Sequence, residues 1–173
     1  MVPLVERKGD KIMKFICPLI VVDDIEASKK FYTEILGQEI TMDFGENVTF
    51  GESLAIQSKS SWTGLINRPE SEIRYQGNDL ELYFEEEEFD AFIERLKTYD
   101  VKYVHPVMEH SWGQRVVRFY DPDMHIIEVG ESMMTICRRF HAAGMTTEQI
   151  VKKTMFPEEV VEMFLEEEVD ICS

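Results

Sequence analysis

The sequence predicts an α+β protein built from two βαβββ modules and a C-terminal helical appendage. The main observation is that one order of elements, a strand, a helix and three short strands, occurs twice along the chain. The starts of the two helices also superpose, because residues 22–27 align with residues 86–91 at an offset of 64 positions. After residue 131 the strand pattern stops and short helical patterns follow, which predicts the appendage.

The first module, about residues 13–57, opens with a strand at residues 15–22 that is rich in Ile and Val. Asp24 predicts a helix cap, since a short acidic side chain accepts a hydrogen bond from the first helical N–H groups. Apolar residues three to four positions apart predict an amphipathic helix that begins at Ile25 and ends at Gly37. Turn residues then separate three predicted strands, at residues 39–43, 47–50 and 53–57.

Residues 58–78 are polar and Ser-rich at their start, which predicts a connecting loop. The second module, about residues 79–131, opens with an alternating strand at residues 79–84. The acidic run 85–88 suits the positive end of a helix dipole, so a second helix is expected to start there. Three more strands complete the module, at residues 102–107, 114–120 and 125–129.

Residues 1–12 are interpreted as a polar N-terminal extension and residues 132–173 as a helical tail. Thr146 and Gln149 have the spacing of a capping box, which predicts a helix start inside the tail. Three helices are predicted in it, at residues 133–143, 147–153 and 158–168. We expect the tail to pack on the sheet or on a partner subunit.

The composition excludes several classes of protein. The chain has 173 residues, with 18 Lys and Arg against 34 Asp and Glu and a net charge of −16. Such an acidic surface repels phosphate backbones and anionic lipids, so no nucleic-acid or membrane partner is expected. No apolar run approaches the roughly 20 residues of a membrane span. The three cysteines have no CxxC spacing, which predicts a reduced, cytoplasmic protein.

Five sequence motifs carry a family resemblance: Val21-Val22-Asp23-Asp24, Ser28-Lys29-Lys30-Phe31-Tyr32, Leu36-Gly37, Trp112-Gly113-Gln114-Arg115 and the hairpin at residues 119–128. Together with the duplication they resemble the vicinal oxygen chelate superfamily, which includes glyoxalase I, bleomycin-resistance proteins and extradiol dioxygenases. The resemblance covers residues 13–131 and implies that the two modules form a curved mixed sheet around a cleft. One position departs from it, since Met124 stands where relatives commonly have glycine after the Asp-Pro-Asp turn.

The resemblance also implies where a metal would bind. In metal-dependent members the ligands project from the first and last strand of each repeat, and a substrate chelates the ion through two neighbouring oxygens. Here the corresponding positions are Cys17, Gln57, Glu81 (or Asp79 on the same strand face) and Glu128, with no histidine. The cofactor implied is a divalent ion, with zinc, nickel, manganese and magnesium as candidates. Cys17 also fits a small buried hydrophobe.

Glu128 is the metal ligand most strongly implied and the candidate catalytic residue; a carboxylate there could equally bind an amine or pair with an arginine. His105 and His110 could act as a general base on a strand that faces the cleft, although each also fits a partly exposed histidine near a loop; we take His105 as the binding-site candidate. Arg115 and Arg118 differ in strand parity, so one of them faces the cleft as an anion anchor, and we take Arg115 as the candidate. Aromatic candidates for a planar ligand are Trp62, Tyr83, Tyr103 and Trp112, although such residues also build ordinary cores.

Three hypotheses about function follow. We favour a protein of the bleomycin-resistance type that binds a small aromatic or acidic molecule without a metal. The second is a metal-dependent lyase, isomerase or dioxygenase related to glyoxalase I. The third is an interaction protein that docks a partner through its helical tail. A homodimer is expected from the superfamily resemblance. The sequence does not name a substrate.

Overall fold

Two four-stranded mixed sheets, one in each half of the chain, confirm the predicted duplication. The computed structural model describes residues 13–166, so the predicted N-terminal extension and Cys172 lie outside the described residues. The chain divides between Glu70 and Ser71 into two compact units, and each unit contains one sheet. In each sheet the first strand of the module runs parallel to the last, and the other pairs are antiparallel.

The first unit places one helix against a sheet in the strand order β1-β4-β3-β2. Its elements are β1 (Leu19–Val22), α1 (Ile25–Glu34), β2 (Ile40–Asp43), β3 (Asn47–Phe50) and β4 (Leu54–Ser58). The predicted cap is confirmed, because Asp24 Oδ1 accepts a hydrogen bond from the Ala27 N–H at 3.0 Å. Tyr32 of α1 is fully buried and its ring centroid lies 5.3 Å from that of Phe50. The helix therefore covers one face of this sheet.

The first strand is shorter than predicted. β1 begins only at Leu19, because Pro18 has no N–H to donate to a strand ladder. The carbonyl of Pro18 still accepts from the Ala55 N–H at 3.1 Å, so pairing starts there. Phe15 is exposed, and Cys17 precedes the strand instead of lying within it.

The prediction that residues 58–78 form only a connecting loop was wrong. The segment contains α2 (Lys59–Ile66) and a short 3-10 turn at Glu70–Glu72. The Ser58 hydroxyl accepts from the Ser61 N–H at 3.3 Å and starts the helix, and Asn67 ends it in a left-handed conformation with φ 52°. Ser58, which was interpreted as a loop residue, is therefore the N-cap of α2, and Ser60 and Ser61 lie in its first turn.

The second unit repeats the arrangement with the strand order β5-β8-β7-β6. Its elements are β5 (Glu81–Glu86), α3 (Phe89–Leu96), β6 (Tyr103–Glu109), β7 (Arg115–Tyr120) and β8 (Ile126–Glu131). α1 begins at residue 25 and α3 at residue 89, which reproduces the predicted offset of 64. Phe92 of α3 packs against Phe119 of β7, with ring centroids 6.5 Å apart. The acidic run was placed too early, since Glu85 and Glu86 end β5 before the helix starts.

Three tail helices follow the second sheet within the same unit: α4 (Met133–Ala142), α5 (Thr147–Thr154) and α6 (Glu158–Glu166). The capping box is confirmed, because the Gln149 N–H donates to Thr146 Oγ1 and the Thr146 N–H donates to Gln149 Oε1. The helices share an apolar core of Ile136, Cys137, Phe140, Ile150 and Val161. Within residues 13–166, the helices lack the length and apolar character that a bilayer crossing needs.

Met124 occupies a strained position in the turn between β7 and β8. Its φ is +69°, a left-handed conformation that costs a residue with a Cβ about 1–2 kcal/mol. Met124→Gly and Met124→Ala remove the same contacts, but only glycine relieves the backbone. We expect the glycine variant to have a free energy of unfolding about 1 kcal/mol above that of the alanine variant, as measured by urea denaturation. Equal stabilities of the two variants would contradict this account of the turn.

Candidate functional site

One row of polar side chains crosses all four strands of the second sheet. The strand register pairs Tyr83 with Glu128, Glu128 with Arg118, and Arg118 with His105. Paired residues of neighbouring strands point to the same side of a sheet, so these four side chains share one face. Glu81 lies on it too, two residues before Tyr83 on β5. We call this side of the sheet the Glu128 face; α3 covers the opposite side.

Arg118 joins the members of this row. Its Nε donates to Glu81 Oε2 at 2.8 Å, and one terminal nitrogen forms an ion pair with Glu128 Oε2. The other terminal nitrogen lies 3.2 Å from His105 Nε2. Glu128 is only 5% exposed, so its charge needs a partner, and the guanidinium supplies it. One arginine on β7 thus holds groups from the other three strands.

The contacts of His105 fix its tautomer. A guanidinium has donors only, so His105 Nε2 must be the acceptor in its contact with Arg118. His105 Nδ1 lies 2.7 Å from the carbonyl oxygen of Pro106, which only accepts, so Nδ1 carries the proton. The imidazole is therefore neutral, and its basic nitrogen is already engaged by Arg118. Both ring nitrogens of His105, the candidate general base, therefore already have hydrogen-bond partners.

A second network borders the row and centres on Gln114. Its amide nitrogen donates to the Tyr83 hydroxyl at 2.8 Å and to the backbone oxygen of Glu131 at 2.9 Å. Its amide oxygen accepts from Trp112 Nε1 at 3.3 Å. Gly130 makes room for this network, because a Cβ there would lie 2.7 Å from the Gln114 amide nitrogen. Sequence reasoning missed both Gln114 and Gly130 as site residues.

The aromatic groups of this region are held in fixed protonation states. Burial raises the pKa of Tyr83 to about 12, against a lowering contribution from Gln114, and the hydroxyl donates to Glu85 Oε1 at 3.0 Å. Burial lowers the pKa of His110, and the nearby positive charge of Arg118 adds to this effect. The His110 ring stacks on Trp112 with centroids 4.2 Å apart and planes 18° apart. Tyr83 is therefore a protonated phenol at pH 7, and the surroundings of His110 favour its neutral form.

Arg115, the predicted anion anchor, lies on the side of the sheet that α3 covers. Its terminal nitrogens contact Asp90 Oδ1 at 2.8 Å and Glu131 Oε1 at 2.7 Å, and its guanidinium lies over the Phe89 ring. The two arginines do lie on opposite sides of the sheet, as their parity predicted. Arg118, and not Arg115, lies on the Glu128 face, because the strand register pairs it with Glu128. A signal was present in the sequence, since positions 118 and 128 are equidistant from Asp123, the midpoint of the connection between β7 and β8.

The remaining predicted residues lie elsewhere. Tyr103 is paired with Phe119 and so lies toward the α3 side, because a bulge between it and His105 changes the register. In the first unit, Gln57 is buried and uses both ends of its amide, accepting from Asn47 Nδ2 at 2.9 Å and donating to Ser61 Oγ.

Cys17 and Trp62 also belong to the first unit. Cys17 borders a cavity of about 390 Å³, whose other lining residues include Lys14, Met42 and Thr49. Trp62 is half-buried and lies on the helix α2 instead of on a strand. The first unit therefore contributes two of the four predicted metal positions, Cys17 ahead of β1 and Gln57 near the end of β4.

The residues of the second unit do not fit a divalent ion as they are arranged. The two candidate carboxylates, Glu81 and Glu128, already share the positive charge of Arg118. The guanidinium contacts each partner through a different nitrogen, so the partner atoms lie farther apart than the ligands of a single metal ion do. Across residues 13–166, no three His, Cys, Asp or Glu side chains are grouped as an ion would require.

Comparison with known families decides the identity of the fold. A family model described as a glyoxalase-like domain matches residues 15–134, which is more than half of the chain. The chain belongs to the glyoxalase-like family. This membership confirms the resemblance to the vicinal oxygen chelate superfamily. The match ends two residues into α4, so nearly all of the helical tail of this glyoxalase-like chain lies beyond it.

Solved structures agree with this family. A protein of unknown function from Agrobacterium tumefaciens str. C58 is 38% identical, with a TM-score of 0.63, over 72% of this chain and 98% of that one. A glyoxalase-related enzyme from Fulvimarina pelagi is 18% identical, with a TM-score of 0.59, over 70% of this chain and 89% of that one. A glyoxalase/bleomycin resistance protein/dioxygenase from Nocardioides is 21% identical, with a TM-score of 0.58, over 72% and 86%. No curated protein matches the sequence.

Proposed function

We propose that this glyoxalase-like protein binds a small, planar organic molecule on the Glu128 face of its second sheet, and that Arg118 supplies the positive charge there in place of a divalent ion. The observation that carries the proposal is the ion-paired row of Arg118 with Glu81, Glu128 and His105. Family membership supports the binding of a small molecule, since the structural relatives include a glyoxalase-related enzyme and a protein described as a glyoxalase/bleomycin resistance protein/dioxygenase. The homodimer inferred from the superfamily resemblance belongs to the same proposal.

The charges of the row narrow the class of ligand. Two carboxylates against one guanidinium leave a net charge of −1, because His105 is neutral. A ligand carboxylate would be repelled by this balance, whereas an uncharged acceptor such as a carbonyl would not. A guanidinium has five N–H donors. Among residues 13–166, Arg118 uses three of them, in its contacts with Glu81, Glu128 and His105. The other two suit a carbonyl oxygen.

Aromatic surface lies beside this charge. Tyr83 is 45% exposed on the Glu128 face, and its hydroxyl is already paired with Glu85 and Gln114. Its ring face is therefore the part open to a ligand. Trp112, stacked on His110, borders the same network through Gln114. A planar molecule with one carbonyl group matches these features better than an aliphatic acid does.

A thermal-shift screen tests the proposal with three matched panels of small aromatic compounds: amides, carboxylates and amines. We expect amides to raise the melting temperature most, since a ligand at 100 times its Kd adds about 2.7 kcal/mol, or roughly 5–10 °C for a chain of this size. Tyr83→Leu is expected to abolish the shift. Tyr103→Leu is the matched control, because Tyr103 is equally exposed, at 42% against 45%, but lies toward the α3 side.

Calorimetric titration with zinc, nickel, manganese and magnesium tests the metal-free part of the proposal. We expect no stoichiometric binding stronger than about millimolar, because Arg118 occupies the space between the carboxylates. Tight binding that Glu128→Gln removes would instead favour the metal-dependent lyase, isomerase or dioxygenase and overturn the proposal. An equal loss of ligand shift in Tyr83→Leu and Tyr103→Leu would show that the binding face is misassigned.

A further inference from the structure

Glu131, the last residue of β8, joins the tail helices to the second sheet. It is fully buried, and it accepts hydrogen bonds from the backbone N–H and the side chain of Arg115 at 3.0 and 2.7 Å. From the other side, Arg139 of α4 donates to both carboxylate oxygens, at 3.0 Å from Nε and 2.9 Å from a terminal nitrogen. A buried carboxylate with this many charge-assisted bonds fixes the position of α4 against the sheet.

From this junction α4 reaches the turn between β6 and β7. The terminal nitrogen of Arg139 that donates to Glu131 Oε2 also donates to the backbone oxygen of Gly113. The ring of Phe140 covers the same residue so closely that a Cβ on Gly113 would lie 2.2 Å from it. The backbone at Gly113 has a φ of +97°, a conformation that favours glycine over any residue with a Cβ. The turn is thus shaped for contact with α4.

The turn carries the aromatic border of the proposed binding face. The Gly113 N–H donates to the His110 carbonyl at 2.8 Å, and the His110 N–H donates to the Gln114 carbonyl at 2.8 Å. Trp112 stacks on His110, and the Gln114 amide connects Trp112 to Tyr83. Any movement of the Gly113 backbone therefore moves the side chains that border Tyr83.

We propose that the tail is part of the binding site and that Arg139 is a positioning residue, which holds the His110–Trp112 stack in place through Gly113. That this region is a binding site rests on the proposed function, but the contacts between the tail and the turn are present without any ligand. Nearly all of α4–α6 lies beyond the family match, so the tail is an addition with a role at the site. Arg139 acts through the turn and does not touch the ligand.

The test measures the environment of Trp112 directly. The chain has two tryptophans, so Trp62→Phe leaves Trp112 as the only indole. In this background, Arg139→Gln is expected to raise the acrylamide quenching constant of Trp112 at least about twofold, because the turn opens locally once its anchor is lost. NMR titration of His110 is the second readout, and its pKa is expected to rise toward the ordinary 6.5 as burial decreases.

Arg138→Gln is the matched control. Arg138 is the neighbouring arginine of α4, but its Nε donates within the tail, to the Phe164 carbonyl at 3.0 Å. We expect this variant to loosen the tail without changing either readout. Phe140→Leu is the milder second variant if Arg139→Gln does not fold, because it removes the ring that covers Gly113 but keeps an apolar side chain in the tail core and leaves the ion pairs of Arg139 in place.

Two results would overturn the inference. In the first, Arg139→Gln or Phe140→Leu lowers the melting temperature but leaves Trp112 quenching and the His110 titration as in the wild type. In the second, Arg138→Gln changes both readouts as much as Arg139→Gln does. Failure of the proposed function looks different, since the ligand panels then bind nowhere while the Trp112 and His110 readouts still respond to Arg139→Gln.

Discussion

Replacing Glu131 by glutamine is expected to lower the free energy of unfolding by about 3 kcal/mol, in the range measured when one partner of a buried ion pair is removed. Glu131 is fully buried between two arginines, Arg115 and Arg139. A glutamine amide carries no charge and presents an N–H group to the guanidinium beside it, so both arginines lose the buried carboxylate they share, while Arg115 keeps its surface partner Asp90. Urea denaturation of the two proteins at pH 7 measures the difference.

The same variant has a predictable pH dependence. Burial disfavours the charged form of Glu131, but hydrogen bonds from Arg115 and Arg139 outweigh it and hold the pKa below its ordinary value of 4.5. A carboxylate with a lowered pKa stabilises the fold above the ordinary value, and this stabilisation is lost as the pH falls through the folded-state pKa. The difference between wild type and Glu131→Gln should therefore be largest at neutral pH and shrink below about pH 4.5.

Asp90→Asn is the control for Glu131→Gln, because Asp90 pairs with the same Arg115 from the surface. Its side chain is 82% exposed, so the loss is expected to stay under about 1 kcal/mol. If both variants lost the same stability, or if the loss in Glu131→Gln did not change with pH, the junction would not be the charged anchor described above.

Arg118→Met is expected to have the second largest effect, a loss of about 3 kcal/mol of unfolding free energy. The substitution leaves Glu128 buried without its cation. Adding Glu128→Gln removes the unpaired charge, so the double variant should be more stable than the sum of the single losses predicts, by about 2 kcal/mol. Urea denaturation with an unchanged slope makes the four proteins of this cycle comparable.

Glu81→Gln separates the two carboxylates that Arg118 binds. The Glu81 side chain is 40% exposed, so its removal is expected to cost under about 1 kcal/mol. A similarly small loss in Arg118→Met would mean that Arg118 does not neutralise Glu128. In that case the guanidinium of Arg118 would not take the place of a divalent ion in this module.

Local signals in the sequence predicted most of the fold. Asp24 and the Thr146–Gln149 pair act within one helical turn, so their spacing alone determines the caps that form. The duplication was visible because the order of elements repeats at a constant offset. The serines at residues 58–61 were ambiguous, since the same hydroxyl that favours a loop also caps a helix.

The site was harder to predict because it depends on pairing between strands. Glu81, Tyr83, His105 and Glu128 were identified individually. Their common face follows from the register of four strands and from a bulge in β6, and Arg118 connects three of them, Glu81, His105 and Glu128. Trp112 was identified, whereas the roles of Gln114 and Gly130 depend on the side-chain packing around them. Parity along a single strand separates faces but does not say which face a helix covers.

The junction at Glu131 also bears on how such chains diverge. A descendant that lost α4–α6 would lose one of the two arginines that bind the Glu131 carboxylate and would expose Gly113, which Phe140 now covers. Glycine at 113, glutamate at 131 and the arginine of α4 should therefore be gained or lost as a group. Homologues that stop near residue 134 are expected to carry an uncharged residue in place of Glu131, and a survey of their sequences can check this inheritance pattern.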